Sequence, residues 1–198
     1  MEDLKEPLIV VLSAPSGSGK TTMVMKVLDK LTDIRRSVSC TTREPREGEA
    51  EGDDYIFLAK EEFRDKIDRG EFIEWEENFG NYYGTLRRQV EEAIEEGDDV
   101  ILSIDVKGAR RVKRAFPESV SVFVMPPSRE ELESRIKKRA LDAEEQVKLR
   151  LKESEKEIAA ADEYDYLIVN DSLDKAVEEL VYIISQERQN RKKQNKKR

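Results

Sequence analysis

Short apolar runs alternate with amphipathic stretches along most of the chain. Each run spans four to six residues and precedes a segment in which apolar residues recur at helical spacing. Strands are predicted at residues 8–12, 100–104, 120–125 and 166–169, and helices at 19–31, 106–115, 129–139 and 173–186. Short apolar strands separated by helices are typical of a parallel sheet covered on both faces. The predicted fold class is therefore α/β.

Two regions interrupt this alternation. Residues 37–97 are rich in polar, aromatic and glycine residues, with short helices predicted near 60–69 and 86–96, which indicates an inserted mixed α/β lobe. Residues 129–160 contain a charge-dense helical pair, interpreted as a lid or as a solvated outer helix. Since the chain has no repeats and no Pro/Ser-rich linker, we expect one domain over 1–198 with its core at 1–36, 98–128 and 161–198.

Composition narrows the possible environments and partners. Charged residues make up 40% of the chain and the formal net charge is −8, which argues against nucleic acid as the main partner. Residues 188–198 carry seven Lys/Arg and no acid, and we expect them to be a solvated, fraying helix end. No stretch approaches the roughly 20 apolar residues of a membrane span, and the start does not resemble a signal peptide. A cytoplasmic location without a membrane partner is predicted.

Cysteine and histidine usage removes several kinds of chemistry. Cys40 is the single cysteine, so no internal disulfide can form, and there is no Cys/His cluster for zinc. The absence of histidine excludes every His-based mechanism.

A phosphate-binding loop lies between the first predicted strand and helix. Gly17 and Gly19 leave room for backbone N–H groups to surround a polyphosphate at a helix start. Lys20 is predicted to reach the terminal phosphates and the Thr21 hydroxyl to bind Mg²⁺. Ala14 replaces the first glycine of the strict motif, which requires a φ below zero there. The alternative is a Gly/Ser turn that only caps a helix. The predicted ATP-binding residues here are Ala14, Pro15, Ser16, Gly17, Ser18, Gly19, Lys20, Thr21 and Thr22.

A second candidate anion site follows at residues 37–57. Arg43 and Arg46 flank a proline and lie close in sequence to Tyr55, and two arginines with a tyrosine hydroxyl can hold a phosphate dianion. Glu49 is predicted to orient the arginines in the empty site. Surface ion pairs on a loop are the alternative interpretation.

Together these segments resemble the guanylate kinases, which move a phosphate from ATP to GMP. The resemblance extends from Leu8 to about Gln186. It rests on ordered blocks that match the family's pattern: Ser39, Thr41, Thr42, Arg43, Arg46, Gly48, Glu49, Gly52, Asp54 and Tyr55; residues 72–75 and 80–85; Asp105 and Gly108; residues 126–128; and residues 164–166 and 169–171. The resemblance implies a P-loop NTPase core with an inserted GMP-binding lobe and a helical lid.

The resemblance also implies roles for individual residues. Arg43, Arg46, Tyr55 and Tyr83 would bind the GMP phosphate, and Arg139 and Arg150 match the two lid arginines. Arg135, one helical turn before the first of these, and Asn170, which matches the block of the last strand, complete the predicted ATP-binding residues. The predicted catalytic residues are Lys20, Arg43, Arg139 and Arg150, with Mg²⁺ and ATP as cofactor and co-substrate.

The chemistry of guanine agrees with these assignments. A Glu74 carboxylate can accept from the N1–H and N2–H₂ donors of guanine, while hydroxyls of Ser39 and Thr85 can donate to O6. Adenine reverses this pattern, and such hydrogen-bonding sites reject wrong substrates by about 10⁴ to 10⁵. Asp105 is predicted to organise Mg²⁺-bound water or the acceptor.

No general base is needed, because the nucleophile is an oxygen of a phosphate dianion that is already ionised. The expected reaction converts ATP and GMP, and also dGMP, to ADP and the nucleoside diphosphate in guanine nucleotide biosynthesis and recycling, by a monomer or homodimer. Two alternatives stay open: a non-catalytic guanylate-kinase-like interaction module, and a related sugar-phosphate kinase.

Two departures from the family pattern carry expectations. Ala140 and Leu141 stand where Gly-Thr is common, which favours helix and predicts a stiffer lid hinge. Ser103 stands where the family usually has an acidic residue, so a charge that orients the arginines or contacts guanine is missing.

We predict that Ser103→Asp raises kcat/KM for GMP because it restores that charge. Steady-state kinetics with varied GMP tests this, and an unchanged or lower value would contradict it.

Overall fold

The computed structural model describes residues 6–15, 18–78, 80–139 and 144–195. Ser16, Gly17, Ala140 and Leu141, and therefore the hinge expectation, lie outside the described residues. The strands in chain order are β1 (Ile9–Ser13), β2 (Ile34–Arg36), β3 (Cys40–Thr41), β4 (Ile56–Phe57), β5 (Phe72–Asn78), β6 (Asn81–Leu86), β7 (Asp99–Ser103), β8 (Val120–Met125) and β9 (Tyr166–Val169). The helices are α1 (Lys20–Leu28), α2 (Lys60–Asp68), α3 (Arg87–Glu95), α4 (Val106–Ala115), α5 (Arg129–Arg139), α6 (Glu144–Ile158) and α7 (Leu173–Asn195).

Five parallel strands form the main sheet in the order β2-β7-β1-β8-β9. One face packs on α1 and α7 through buried aliphatic residues such as Leu12, Val122 and Leu180. The other face packs on α3 and α4 through residues such as Val11 and Val112. Both faces are covered, so the inner strands β1, β7 and β8 are predominantly apolar, as is typical of parallel sheets. The α/β prediction is confirmed.

A smaller four-stranded sheet is built from residues within the predicted lobe. Its order is β4-β3-β6-β5, with parallel and antiparallel pairs. Phe63 of α2 stacks on Phe72 at 4.3 Å between ring centroids and forms a separate small core with Cys40.

Helices α5 and α6 pack on each other through their own apolar contact, formed by Leu132, Ile136 and Val147. No helix in the described ranges is long and apolar enough to cross a membrane.

The boundaries of two helices differ from expectation. Helix α1 ends at Leu28 rather than at residue 31, and the N–H groups of Lys30 and Leu31 share the Val27 carbonyl in the turn that follows. Helix α7 runs to Asn195 rather than to residue 186. The expectation of a solvated, fraying basic end is wrong for Arg188 and Arg191, whose side chains bond to the body of the protein.

Arg188 is held by a buried carboxylate. Asp99, which is fully buried, accepts from the Leu8 N–H at 2.8 Å and from Arg188 Nε at 2.5 Å. Arg188 also donates to the carbonyls of Thr32 and Asp33. Arg191 donates to the carbonyls of Pro7 and Glu118, so the final helix is clamped to the amino ends of the strands.

We expect Arg188→Met to lower the free energy of unfolding by about 3 kcal/mol, because it leaves the buried Asp99 carboxylate without its cation. Urea unfolding followed by circular dichroism measures this change. Lys192→Met, which replaces an exposed residue of the same helix, serves as control and should change stability by less than about 0.5 kcal/mol. Equal stability of the Arg188 and Lys192 variants would contradict the assignment.

Candidate active site

The phosphate loop connects β1 to α1 at the carboxyl edge of the main sheet. Gly19 caps α1 with φ 86°, a left-handed conformation that favours glycine. Ala14 is buried, and Asp33 is the only non-glycine residue with positive φ in the described part of the chain. The expectation that Ala14 keeps a negative φ is therefore confirmed, and the missing first glycine imposes no backbone strain.

Two side chains hold the loop from either side. Lys20 Nζ donates to the Ala14 carbonyl at 2.5 Å, folding over the loop. Asn170, at the end of β9 and almost fully buried, donates from Nδ2 to the Ser18 carbonyl at 3.0 Å. Asn170 therefore positions the loop from the end of β9, two strands away at the same carboxyl edge of the sheet.

A cavity of about 330 Å³ opens between α1 and the small sheet. It brings together seven residues predicted from sequence: Thr21, Ser39, Arg43, Arg46, Glu49, Tyr55 and Tyr83. It is also lined by five residues to which sequence reasoning gave no binding role: Val24, Arg36, Ser37, Asp54 and Ser103. Most lining groups are polar and three are arginines, so the cavity is suited to an anionic ligand.

Glu49 orients the arginines of the loop between β3 and β4, residues 42–55, which we call the arginine loop. Arg43 donates from one Nη atom to both Glu49 oxygens at 2.8 and 2.9 Å, and the Arg46 backbone N–H donates to the same carboxylate at 2.8 Å. Partial burial alone would raise the pKa of Glu49, but these hydrogen bonds lower it. The Arg43 guanidinium lies 5.4 Å from the centre of the Tyr55 ring, which restricts it further. The loop thus holds its cation in place without a ligand.

A buried carboxylate, that of Glu74, lies outside the set of residues that line this cavity. Glu74 of β5 is 5% exposed, and its Oε1 accepts a hydrogen bond from the Thr85 hydroxyl at 2.6 Å. Burial, together with the charge of Asp105, raises the pKa of Glu74 to about 7, although the Thr85 bond acts in the opposite direction. Since the Thr85 proton is donated to Glu74, the predicted donation from Thr85 to O6 of guanine would require the hydroxyl to rotate.

Helix α4 closes the space behind Glu74. A Cβ atom on Gly108 would lie 2.7 Å from Glu74 Oε2, so a larger residue there would require the Glu74 carboxylate to shift. Asp105 caps α4 by accepting from the Gly108 N–H at 2.8 Å, and Asn78 donates to its other oxygen at 3.0 Å. The sequence matched Gly108 to the family pattern but gave no role to its packing or to Asn78, because the contacts Gly108–Glu74 and Asn78–Asp105 join different elements of the fold.

The lid arginines are not brought into this cavity. Arg135 forms an ion pair with Glu131 of its own helix at 2.8 Å, and Arg150 is a half-buried residue of α6. Neither lines the cavity. The Arg139 side chain lies outside the described residues.

The described residues contain no group of three or more carboxylate, cysteine or histidine side chains suited to a metal. The Thr21 and Ser103 hydroxyls do line the cavity. A single hydroxyl ligand such as that of Thr21 is compatible with Mg²⁺ binding. This ion keeps several water ligands and is held mainly by the phosphates of the bound nucleotide.

The comparisons with known proteins agree with this geometry. A family model described as guanylate kinase matches residues 6–187. The chain belongs to the guanylate kinase family. It is 44% identical over 184 residues to the guanylate kinase of Caldanaerobacter subterraneus subsp. tengcongensis, covering 93% of this chain and 89% of that protein. It is 46% identical over 181 residues to that of Desulfitobacterium hafniense, covering 91% and 90%.

Among solved structures, the crystal structure of guanylate kinase from Anaplasma phagocytophilum matches with a TM-score of 0.79 at 37% identity. The match covers 94% of this chain and 89% of that one. The resemblance inferred from the motifs is confirmed.

The raised pKa of Glu74 predicts a stability effect with a definite sign. An unfolded glutamate ionises near pH 4.5, whereas Glu74 in the fold ionises at about 7, so burial of its charge destabilises the empty protein progressively as pH rises through this window. We expect Glu74→Gln to raise the free energy of unfolding by about 2 to 3 kcal/mol at pH 8 and to have little effect near pH 4.5. Urea unfolding at both pH values measures this. A difference between the two proteins that does not vary with pH would contradict it.

Proposed function

We propose that this chain transfers the terminal phosphoryl group of ATP to the phosphate of GMP, giving ADP and GDP. The observation that carries the proposal is the presence of two recognition sites on adjacent strands of the small sheet. Tyr83 of β6 lines the arginine cavity, which suits a phosphate, and Thr85 of the same strand pairs with the buried Glu74 of β5. Guanine offers two N–H donors to such a carboxylate, whereas adenine presents a lone pair.

The same arrangement supports a role for the phosphate loop as the donor site. Lys20 and the loop N–H groups at the start of α1 would bind the ATP phosphates. Mg²⁺ carried by ATP would be held by the Thr21 hydroxyl and would supply positive charge to the phosphates. The Lys20 ammonium would exchange its bond to the Ala14 carbonyl for a phosphate oxygen.

Catalysis then consists of positioning and charge neutralisation. The attacking oxygen belongs to a phosphate that is ionised near neutral pH, so no side chain need remove a proton. Arg43 and Arg46 would orient this anion in line with the donor, and closure of α5 and α6 would bring Arg135, Arg139 and Arg150 to the transferred group. Closure would also exclude water, which otherwise hydrolyses ATP.

We further expect a cytoplasmic location, use of dGMP as a second acceptor and a place in guanine nucleotide metabolism. We also expect the protein to be a monomer or a homodimer. Of the two alternatives, a sugar-phosphate kinase has no use for a buried carboxylate with the pattern of Glu74, and an interaction module has no need of Lys20 and Thr21.

A coupled assay with ATP, Mg²⁺ and GMP should show ADP formation, whereas AMP, UMP or ribose 5-phosphate should not replace GMP. Chelation of Mg²⁺ should abolish turnover. Glu74→Gln is expected to lower kcat/KM for GMP by about a hundredfold or more, because the amide presents a donor to a guanine donor.

Glu77→Gln provides a matched control, because Glu77 is an exposed residue of the same strand, and it should leave kcat/KM nearly unchanged. Turnover of ribose 5-phosphate would favour the sugar-phosphate kinase. GMP binding without ADP formation would favour the interaction module.

A further inference from the structure

Arg36 is the last residue of β2 and faces the cleft. The parallel register pairs it with Ile101 of β7, and Ser103 follows two residues later on the same face. This is the face that packs on α1, since Ile34 and Ile101 both contact the α1 side of the core. Beyond the end of that core, Arg36 lines the same cavity as Thr21, Ser103 and Arg43.

The neighbouring arginine has a different environment. Arg35 lies on the opposite face of β2 and forms ion pairs with Glu96 and Asp98. Arg36 is half-buried, and no carboxylate pairs with its guanidinium in the described part of the chain. A partly desolvated guanidinium gains most when an anion replaces its lost water.

The carboxylates that line the cavity are bonded to groups other than Arg36, so its positive charge is available to such an anion. Glu49 is bonded to Arg43, and Asp54 accepts from the Ala50 N–H. Position 103 holds a hydroxyl rather than a carboxylate, so it supplies no charge to neutralise Arg36. This reverses the expectation drawn from sequence for Ser103→Asp, because a carboxylate there would pair with Arg36 and lower kcat/KM for GMP. The guanidinium therefore adds positive potential on the wall between α1 and the arginine loop.

We propose that Arg36 binds the phosphate of the acceptor nucleotide, as a third arginine beside Arg43 and Arg46. This proposal rests on the proposed function. The acceptor is favoured over the donor because Arg36 lines the same cavity as Arg43, Arg46 and Tyr83. Of the described residues in the phosphate loop and the first turn of α1, which would bind the donor, Thr21 alone lines that cavity. Arg36 would donate to a phosphate oxygen on the side that faces Ser103.

The test compares Arg36→Met with Arg35→Met, two substitutions on one strand that each remove a guanidinium and keep an aliphatic stem. Calorimetric titration with GMP, guanosine and ADP separates phosphate from base recognition and acceptor from donor. Arg36→Met should weaken GMP binding about tenfold or more while guanosine and ADP affinities stay within about twofold. Arg35→Met should leave all three affinities unchanged.

Arg36→Lys keeps the charge without the planar fork, so a smaller loss of GMP affinity is expected. It also provides the measurement if the methionine variant does not fold.

Equal GMP affinity of the wild type and the Arg36 variants would overturn the proposal. An equal loss of affinity for GMP and for guanosine would also overturn it, and so would a loss of affinity for ADP alone. A wild-type protein that fails to bind GMP would overturn the proposed function and this proposal together, whereas normal GMP binding by every variant would overturn only the assignment of Arg36.

Discussion

The parallel arrangement of the main sheet is the constraint on which the rest of this structure depends. Because all five strands run in one direction, their carboxyl ends meet at a single edge. Ser13, Arg36, Ser103 and Val169 each end a strand there. The phosphate loop and Asn170 follow two of these ends directly, and Arg36 itself lies at a third. Ligand sites of open α/β sheets form at this edge for the same reason.

Arg43 and Glu74 of the candidate active site have opposite electrostatic environments. Arg43 is held by Glu49 before any ligand binds, so ordering this side chain costs little when an anion arrives. Glu74 is instead buried against Gly108, and among the described residues no cation is bonded to it; burial raises its pKa. Under the proposed function, two N–H donors of guanine would stabilise this carboxylate, so recognition would be linked to a local loss of stability.

Several features were accessible from sequence because their signals are local. The apolar runs located four strands of the main sheet, and the spacing of Lys20 and Thr21 behind the glycines located the phosphate loop. Strand β2 was not predicted, because its three residues, Ile34 to Arg36, include two arginines and no apolar run. The extent of α7 was misjudged for a similar reason. Basic residues at a chain end indicate solvent until a buried partner such as Asp99 is known.

The sequence by itself determined the α/β class, the family resemblance and the residue types available for binding phosphate and guanine, because these depend on periodicity and on short motifs. Only the tertiary structure decided how those residues meet. In the folded chain the Thr85 hydroxyl donates to Glu74, Gly108 packs against the Glu74 carboxylate, and Arg36 lines the cleft while Arg35 forms ion pairs outside it. These contacts join residues distant in the chain, and their energies depend on burial and direction, which no local pattern encodes.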